Sequence, residues 1–314
     1  MMVRLETRPR AKVNLALAVI GRRADGYHEL ASIFLRVGLA DRLSVRLADP
    51  ASAEDRLTVT GLGDLPVEGN IVLRAVQLLR SEAGQPLPSL EIALEKRIPV
   101  AAGMGGGSAD AASALGLAAG TWGVGLSPER ESALALALGA DVPFFLGDHA
   151  AALVEGIGER LEPLPGIRGG AGLLIVTPPF RLSTAEAFRA YDRLLPPPPS
   201  AADTVAALAH AMRAGLDGTD LVAWSDRLAL ANDLWPAALA LEPDLARLRS
   251  ELEERLGRHV IMTGSGATLV GLYASGVDAA AAGRGLVAAL PDSLAGATIS
   301  ACDTIGPDPR WRYT

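Results

Sequence analysis

The chain has 314 residues, 49 % of them hydrophobic, which is long enough for two domains with ordinary cores. Its formal charge is −7, and it lacks a basic block, a strongly basic amphipathic stretch and an apolar run of the roughly 18 residues a membrane span needs; these exclude a general nucleic-acid binder and a membrane protein. Cys302 is the lone cysteine, so there is no intrachain disulfide or Cys-rich metal site, and the N-terminus shows no signal-peptide pattern; the chain reads as cytoplasmic.

In chain order, KVNLALAVIG (12–21) alternates β-formers with small residues and reads as a strand. Short strands follow at 32–37, 43–47 and 57–60. Residues 70–83 carry apolar side chains at helical spacing, with Asn70 as N-cap. Alternation returns at 89–96, and Pro99 ends that strand before a glycine-rich loop, from which a helix starts at about Ser108. Ser127-Pro128-Glu129 opens another helix, which Gly139 closes in the left-handed conformation. A β-rich segment lies near 150–156. The bridge 164–172 divides the chain into domains 1–165 and 166–314. Beyond it come a strand at 173–177, a helix at 183–195 capped by Ser183, and a stiff spacer at Pro196 to Pro199. Helices continue to about Leu256, and the chain ends as strand 259–262, loop 263–268, strand 269–273, helix 277–290 and strand 297–301. Strands and helices interleave in both halves, which suggests two α/β-type layers side by side.

The stretch PVAAGMGGGSADAASAL (99–115) carries the clearest chemistry. Four glycines within five residues, Gly103 and Gly105 to Gly107, let the backbone approach a ligand with its N–H groups turned inward. The helix that follows adds its unpaired N–H groups and positive end, so a di- or triphosphate is the natural guest. No lysine follows the glycines, which rules out the common P-loop. Ser108 stands where a dinucleotide fingerprint needs Gly or Ala, which removes the dehydrogenase reading. Asp110 reads either as an acid favoured near a helix start or as a magnesium ligand.

The chain has two lysines, Lys12 and Lys96; its other basic residues apart from histidine are arginines. An ammonium reaches a single oxygen where a guanidinium forks, so the two are not equivalent in a tight site. Lys12 and Asn14 lie two apart, on one strand face. In GADVPFFLG (139–147), Asp141 follows a helix C-terminus and precedes an apolar wall, conditions that raise its proton affinity and suit a general base. Tyr27 and His28, in DGYHEL, offer a flat surface and a polar edge, or simple packing. TGSGAT (263–268) is a second small-residue loop and reads equally as a hairpin turn.

Together, AKVNLAL, RRADGYHEL, PVAAGMGGGSADAASAL, LGADVPFFLG and MTGSGAT resemble the GHMP kinase superfamily over about residues 8 to 303, and within it the branch that acts on a cytidine-diphosphate-linked methylerythritol. The resemblance implies an α+β, two-domain GHMP kinase fold, with a ribosomal protein S5 domain 2-like N-terminal domain and a ferredoxin-like C-terminal domain. It implies transfer of the ATP γ-phosphate, with Mg2+, to the 2-hydroxyl of that acceptor. Carried over residue by residue, Asp141 is the base and Lys12 its cationic partner. Pro99, Val100, Ala101, Ala102, Gly103, Met104, Gly105, Gly106, Gly107, Ser108 and Ala109 cradle the ATP phosphates, with Asn70 and Lys96 near the nucleotide. Asn14, Tyr27, His28, Thr184 and Phe188 meet the acceptor, Tyr27 and His28 around its cytosine. No residue is assigned as a metal ligand, and no oligomeric state is implied. Residues 200 to 231 fit no family pattern. The alternatives are a homoserine- or mevalonate-type kinase of the same superfamily and a nucleotide-binding relative without catalysis.

Overall fold

The structure, a computed structural model, describes residues 4–61, 66–194 and 200–306; the proline spacer at 196–199 lies outside them. In chain order the elements are β1 (Arg4–Thr7), β2 (Arg10–Arg22), β3 (His28–Ala40), β4 (Arg42–Leu47), β5 (Arg56–Gly61), α1 (Ile71–Glu82), β6 (Leu90–Lys96), α2 (Gly106–Trp122), α3 (Pro128–Leu138), α4 (Val142–Leu146), β7 (Ala151–Gly156) and β8 (Arg160–Leu164). After the bridge come β9 (Gly172–Thr177), α5 (Thr184–Tyr191), α6 (Ala202–Arg213), α7 (Gly218–Ala223), α8 (Ser225–Leu228), α9 (Trp235–Leu241), α10 (Asp244–Leu256), β10 (Val260–Met262), β11 (Leu269–Tyr273), α11 (Gly276–Ala288) and β12 (Thr298–Asp303).

The strands form three four-stranded sheets, ordered β1-β4-β6-β5, β2-β3-β7-β8 and β10-β11-β9-β12, so the side-by-side layers become three sheets, two of them before the bridge. The last is antiparallel throughout. Read across the sheet from β12, its strands are fourth, first, third and second in chain order, with helices in both crossovers, which is the ferredoxin-like arrangement. The architecture is α+β.

Strand β3 explains how the first half supports a site. Ala31, Ile33, Leu35 and Val37 alternate onto one face and join a core shared with β9, β11 and α6 of the second half. Phe34 faces the opposite way, into a core built with α1, α2, β4 and β6. Helix α2 runs through that second core and is buried around its circumference from Ala109 to Ala118, as its run of alanines allows.

Several local expectations change. Helix α2 starts at Gly106, with left-handed Gly105 as N-cap (φ 66°), so Ser108 lies inside the first turn and is no cap. Gly139 is extended (φ 164°), because the chain turns at once into α4, an element the sequence reading took for a rigid wall. Ser183 precedes α5 without a side-chain cap bond, whereas Asn70 and Ser127 cap as expected: their side chains accept from Val72 N and Arg130 N.

Candidate active site

A cleft of about 550 Å³ opens between the halves. Its floor is the glycine loop. The Lys12 backbone N–H donates to the Met104 carbonyl at 3.0 Å, fastening the loop to β2. Two glycines are required by space as well as by backbone. A Cβ on Gly103 (φ 72°) would stand 2.5 Å from the Thr263 carbonyl oxygen, and one on Gly105 (φ 66°) would meet the Phe145 ring at 2.8 Å and Lys12 Cε at 3.2 Å. No side chain caps α2, so its first-turn N–H groups open toward the cleft that Gly105, Gly106, Gly107 and Ser108 line.

Lys12 sits at the centre. Its ammonium donates to Asn14 Oδ1 at 2.6 Å and to the Gly103 carbonyl at 3.1 Å, stands 3.4 Å from Asp141 Oδ2, and lies 4.5 Å from the centre of the Phe34 ring. Asn14 is spent on this arrangement: its Nδ2 donates to Ser32 Oγ at 2.8 Å, and its Oδ1 also takes the Thr263 hydroxyl at 3.4 Å. The sequence placed Asn14 against the acceptor; it lines the cleft, but its bonds hold Lys12.

Asp141 keeps a third of its side chain exposed. It lies just past the end of α3 and is the N-cap residue of α4, with the Lys12 ammonium beside it. Helix α4 is held from below by the buried Arg36, which donates to the carbonyls of Phe144 at 3.0 Å and Gly147 at 2.8 Å.

The second lysine presents a different picture. Lys96 lines the cleft beneath Gly106, but its ammonium is bound by Asp41 and, at 2.6 Å, by Asp110, all three buried. Burial holds the Asp110 carboxyl well above the usual range, against the pull of Lys96, while the two carboxylates hold the Lys96 ammonium above its ordinary value. Asp110 is therefore a partner of Lys96 that also lines the cleft, its Oδ1 buried without a hydrogen-bond partner. Among the described residues no group of three or more His, Cys, Asp or Glu could hold a metal. Magnesium carried in by nucleotide phosphates keeps several waters and needs only one or two protein oxygens.

The cleft is lined by Lys12, Asn14, Asn70, Lys96, every residue from Pro99 to Ser108, Asp141, Thr184 and Phe188. Ala109 is buried behind the loop, Tyr27 is 63 % exposed, and neither Tyr27 nor His28 is among the lining residues. Asn70 lines the cleft together with Pro66, Glu68 and Ile71; Thr184 and Phe188 line it together with Leu30, Leu234 and Ser265, and the Thr184 and Ser265 hydroxyls bond at 3.0 Å. Gly264 and Ser265 come from the TGSGAT loop, one of the stretches that carried the family resemblance, although the sequence reading gave neither residue a role. Thr263, in the same loop, acts on a strand 249 positions away, where its hydroxyl accepts from the Asn14 N–H at 2.8 Å.

Residues 70–155 match the family model described as GHMP kinases N terminal domain, and residues 207–292 the one described as GHMP kinases C terminal. The 4-diphosphocytidyl-2-C-methyl-D-erythritol kinase of Pelotomaculum thermopropionicum is 42 % identical over 84 % of this chain and 88 % of its own length. That of Mesorhizobium japonicum is 40 % identical over 92 % and 94 %. A crystal structure of 4-(cytidine 5'-diphospho)-2C-methyl-D-erythritol kinase superposes with a TM-score of 0.70 at 34 % identity, covering 95 % of this chain and 98 % of the other. The Methanococcus jannaschii mevalonate kinase shares the fold, at a TM-score of 0.67 and 14 % identity over 98 % of this chain and 99 % of the other. The chain belongs to the GHMP kinase family, on the branch of the 4-diphosphocytidyl-2-C-methyl-D-erythritol kinases.

Proposed function

We propose that this chain transfers the γ-phosphate of ATP to the 2-hydroxyl of 4-diphosphocytidyl-2-C-methyl-D-erythritol, a step of non-mevalonate isoprenoid precursor biosynthesis. Supporting it is one observation above the others: a Lys12–Asp141 pair at 3.4 Å, placed between a glycine loop and a mixed polar and aromatic wall, in a chain 42 % identical over most of its length to a kinase of that name. Residues Pro99 to Ala109 and the start of α2 hold the phosphates, with Asn70 and Lys96 on the nucleotide side. Asn14, Thr184 and Phe188 face the acceptor, with Tyr27 and His28 around its cytosine and the His28 ring stacked on Phe188. We take the two domains as 1–165 and 166–314, a division supported by sheets that do not mix strands across the bridge.

In the reaction, Asp141 accepts a hydrogen bond from the acceptor hydroxyl and takes its proton as the bond from that oxygen to the γ-phosphorus forms and the bond from the γ-phosphorus to the β–γ bridging oxygen breaks, with ADP as the leaving group. Lys12 stabilises charge on the transferring group. Mg2+ bound with ATP would neutralise the phosphate oxygens. The transition state is loose in most analyses, so orientation of the hydroxyl contributes alongside proton transfer. Asp141→Asn is expected to lower kcat by about 10²- to 10⁴-fold. ATP consumption should be measured with the cytidyl methylerythritol, mevalonate and homoserine: turnover confined to the first supports the assignment, and equal or greater turnover with either of the others overturns it.

A further inference from the structure

The sequence placed His28 in the acceptor pocket, but it stands outside the lining. Its ring lies stacked on Phe188, with centroids 4.7 Å apart and planes at 17°, while Phe188 itself lines the cleft. A ring that lines the cleft and stacks on a ring outside the lining is backed by it. Asp192, just past the end of α5, accepts from His28 Nε2 at 2.7 Å, and its other oxygen is 3.4 Å from Arg22. Tyr191 meets His28 edge-on at 6.1 Å. Arg22 ends β2 and His28 begins β3, so Asp192 clasps both ends of the β2–β3 turn to a helix from the other half of the chain.

We infer that Asp192 is a positioning residue for acceptor recognition: it holds His28 against Phe188 and so fixes the aromatic wall of the acceptor end across the two domains. The inference rests on the reading that Phe188 faces the acceptor. The Arg22 contact is largely exposed and contributes little. The His28 contact matters more, because the His28 side chain is only 9 % exposed and Asp192 orients a ring that Phe188 stacks against.

The test is steady-state kinetics of Asp192→Ala with ATP and the cytidyl methylerythritol. A stacked aromatic pair contributes about 0.5–1.5 kcal/mol, so loss of its orientation should raise the acceptor KM about two- to tenfold, with the change falling on that KM and not on the KM for ATP. Asp192→Asn keeps an acceptor oxygen for His28 Nε2 and should recover most of the loss. In a Phe188→Leu background, Asp192→Ala should add little, since both act through one ring. An unchanged acceptor KM, an equal rise for ATP, or full additivity with Phe188→Leu overturns the inference. A second measurement needs no acceptor: amide hydrogen exchange at 22–28 should accelerate in Asp192→Ala, and unchanged exchange counts against the clasp. If the unsubstituted enzyme fails to turn over this acceptor, the assigned reaction is overturned, and hydrogen exchange then decides the clasp by itself.

Discussion

Lys12 shows what one side chain can do when every partner is fixed. Its ammonium is divided among Asn14, the Gly103 carbonyl and Asp141, and the first two of these are buried or backbone groups that cannot drift. Spacing alone put Lys12 and Asn14 on one face, and the 2.6 Å bond bears that out. What spacing could not give was the partner list of Asn14, whose amide is consumed by Ser32 and Thr263 from other elements. Asn14→Ala should therefore behave mainly as a misplaced Lys12 and less as a lost substrate contact. We expect kcat to fall about tenfold or more, with the acceptor KM within about threefold of its original value. A raised acceptor KM at constant kcat would make the acceptor contact the main role of Asn14. Cys302 gives a second check on burial: its thiol is pushed up to about 11 by its surroundings, so thiol reagents at pH 8 should label the unfolded chain much faster than the folded one.

At the scale of elements, the glycine loop was legible because its function is written in backbone requirements that only glycine meets. Its support was not. Lys96 attracted notice as one of two lysines, yet nothing in KRIPV signals that Asp41, 55 positions earlier, and Asp110, one turn into α2, will enclose it. The same holds for Asp141, read correctly as following α3 but not as preceding α4, since VPFFL is too short to show helical periodicity. The triad under the loop makes a pH-dependent prediction. Lys96→Met leaves Asp41 and Asp110 buried without their cation, and breaking such a group costs about 3–5 kcal/mol. Asp110 already holds its proton more tightly than the unfolded chain does, so its contribution is present in acid and lost as pH rises through its folded value. The Lys96→Met variant should accordingly show its largest deficit at neutral and alkaline pH and a smaller one in acid. Urea unfolding at neutral and acid pH decides it: a deficit that grows in acid would mean that the triad is held by something other than its charges.

The whole molecule joins two topologically separate halves through one shared core. Strands β1 to β8 and β9 to β12 share no sheet, and the glycine-rich stretch 164–172, which the sequence reading took as the boundary, runs between them. Yet Val13, Ile33 and Leu35 pack in the same cluster as Ile175, Leu208 and Val270, a union between distant segments that no local pattern reports. Asp233 reinforces it: one carboxylate oxygen accepts from the Val19 N–H at 2.8 Å, the other from the Ala201 N–H at 2.7 Å. Both donors are buried, so removing the acceptor leaves two unsatisfied N–H groups, at about 1–3 kcal/mol each. Asp233→Ala should lower the unfolding midpoint while the protein still melts as one unit, because the shared apolar cluster, and not the carboxylate, carries the cooperativity. Far-ultraviolet circular dichroism and tryptophan fluorescence should then give coincident unfolding curves in both proteins. Saturating ATP should raise the midpoint of each by a similar increment, since Asp233 lies outside the cleft lining. If the two probes separate in Asp233→Ala, that carboxylate is what couples the halves, and the division at 165 marks two independently folding units.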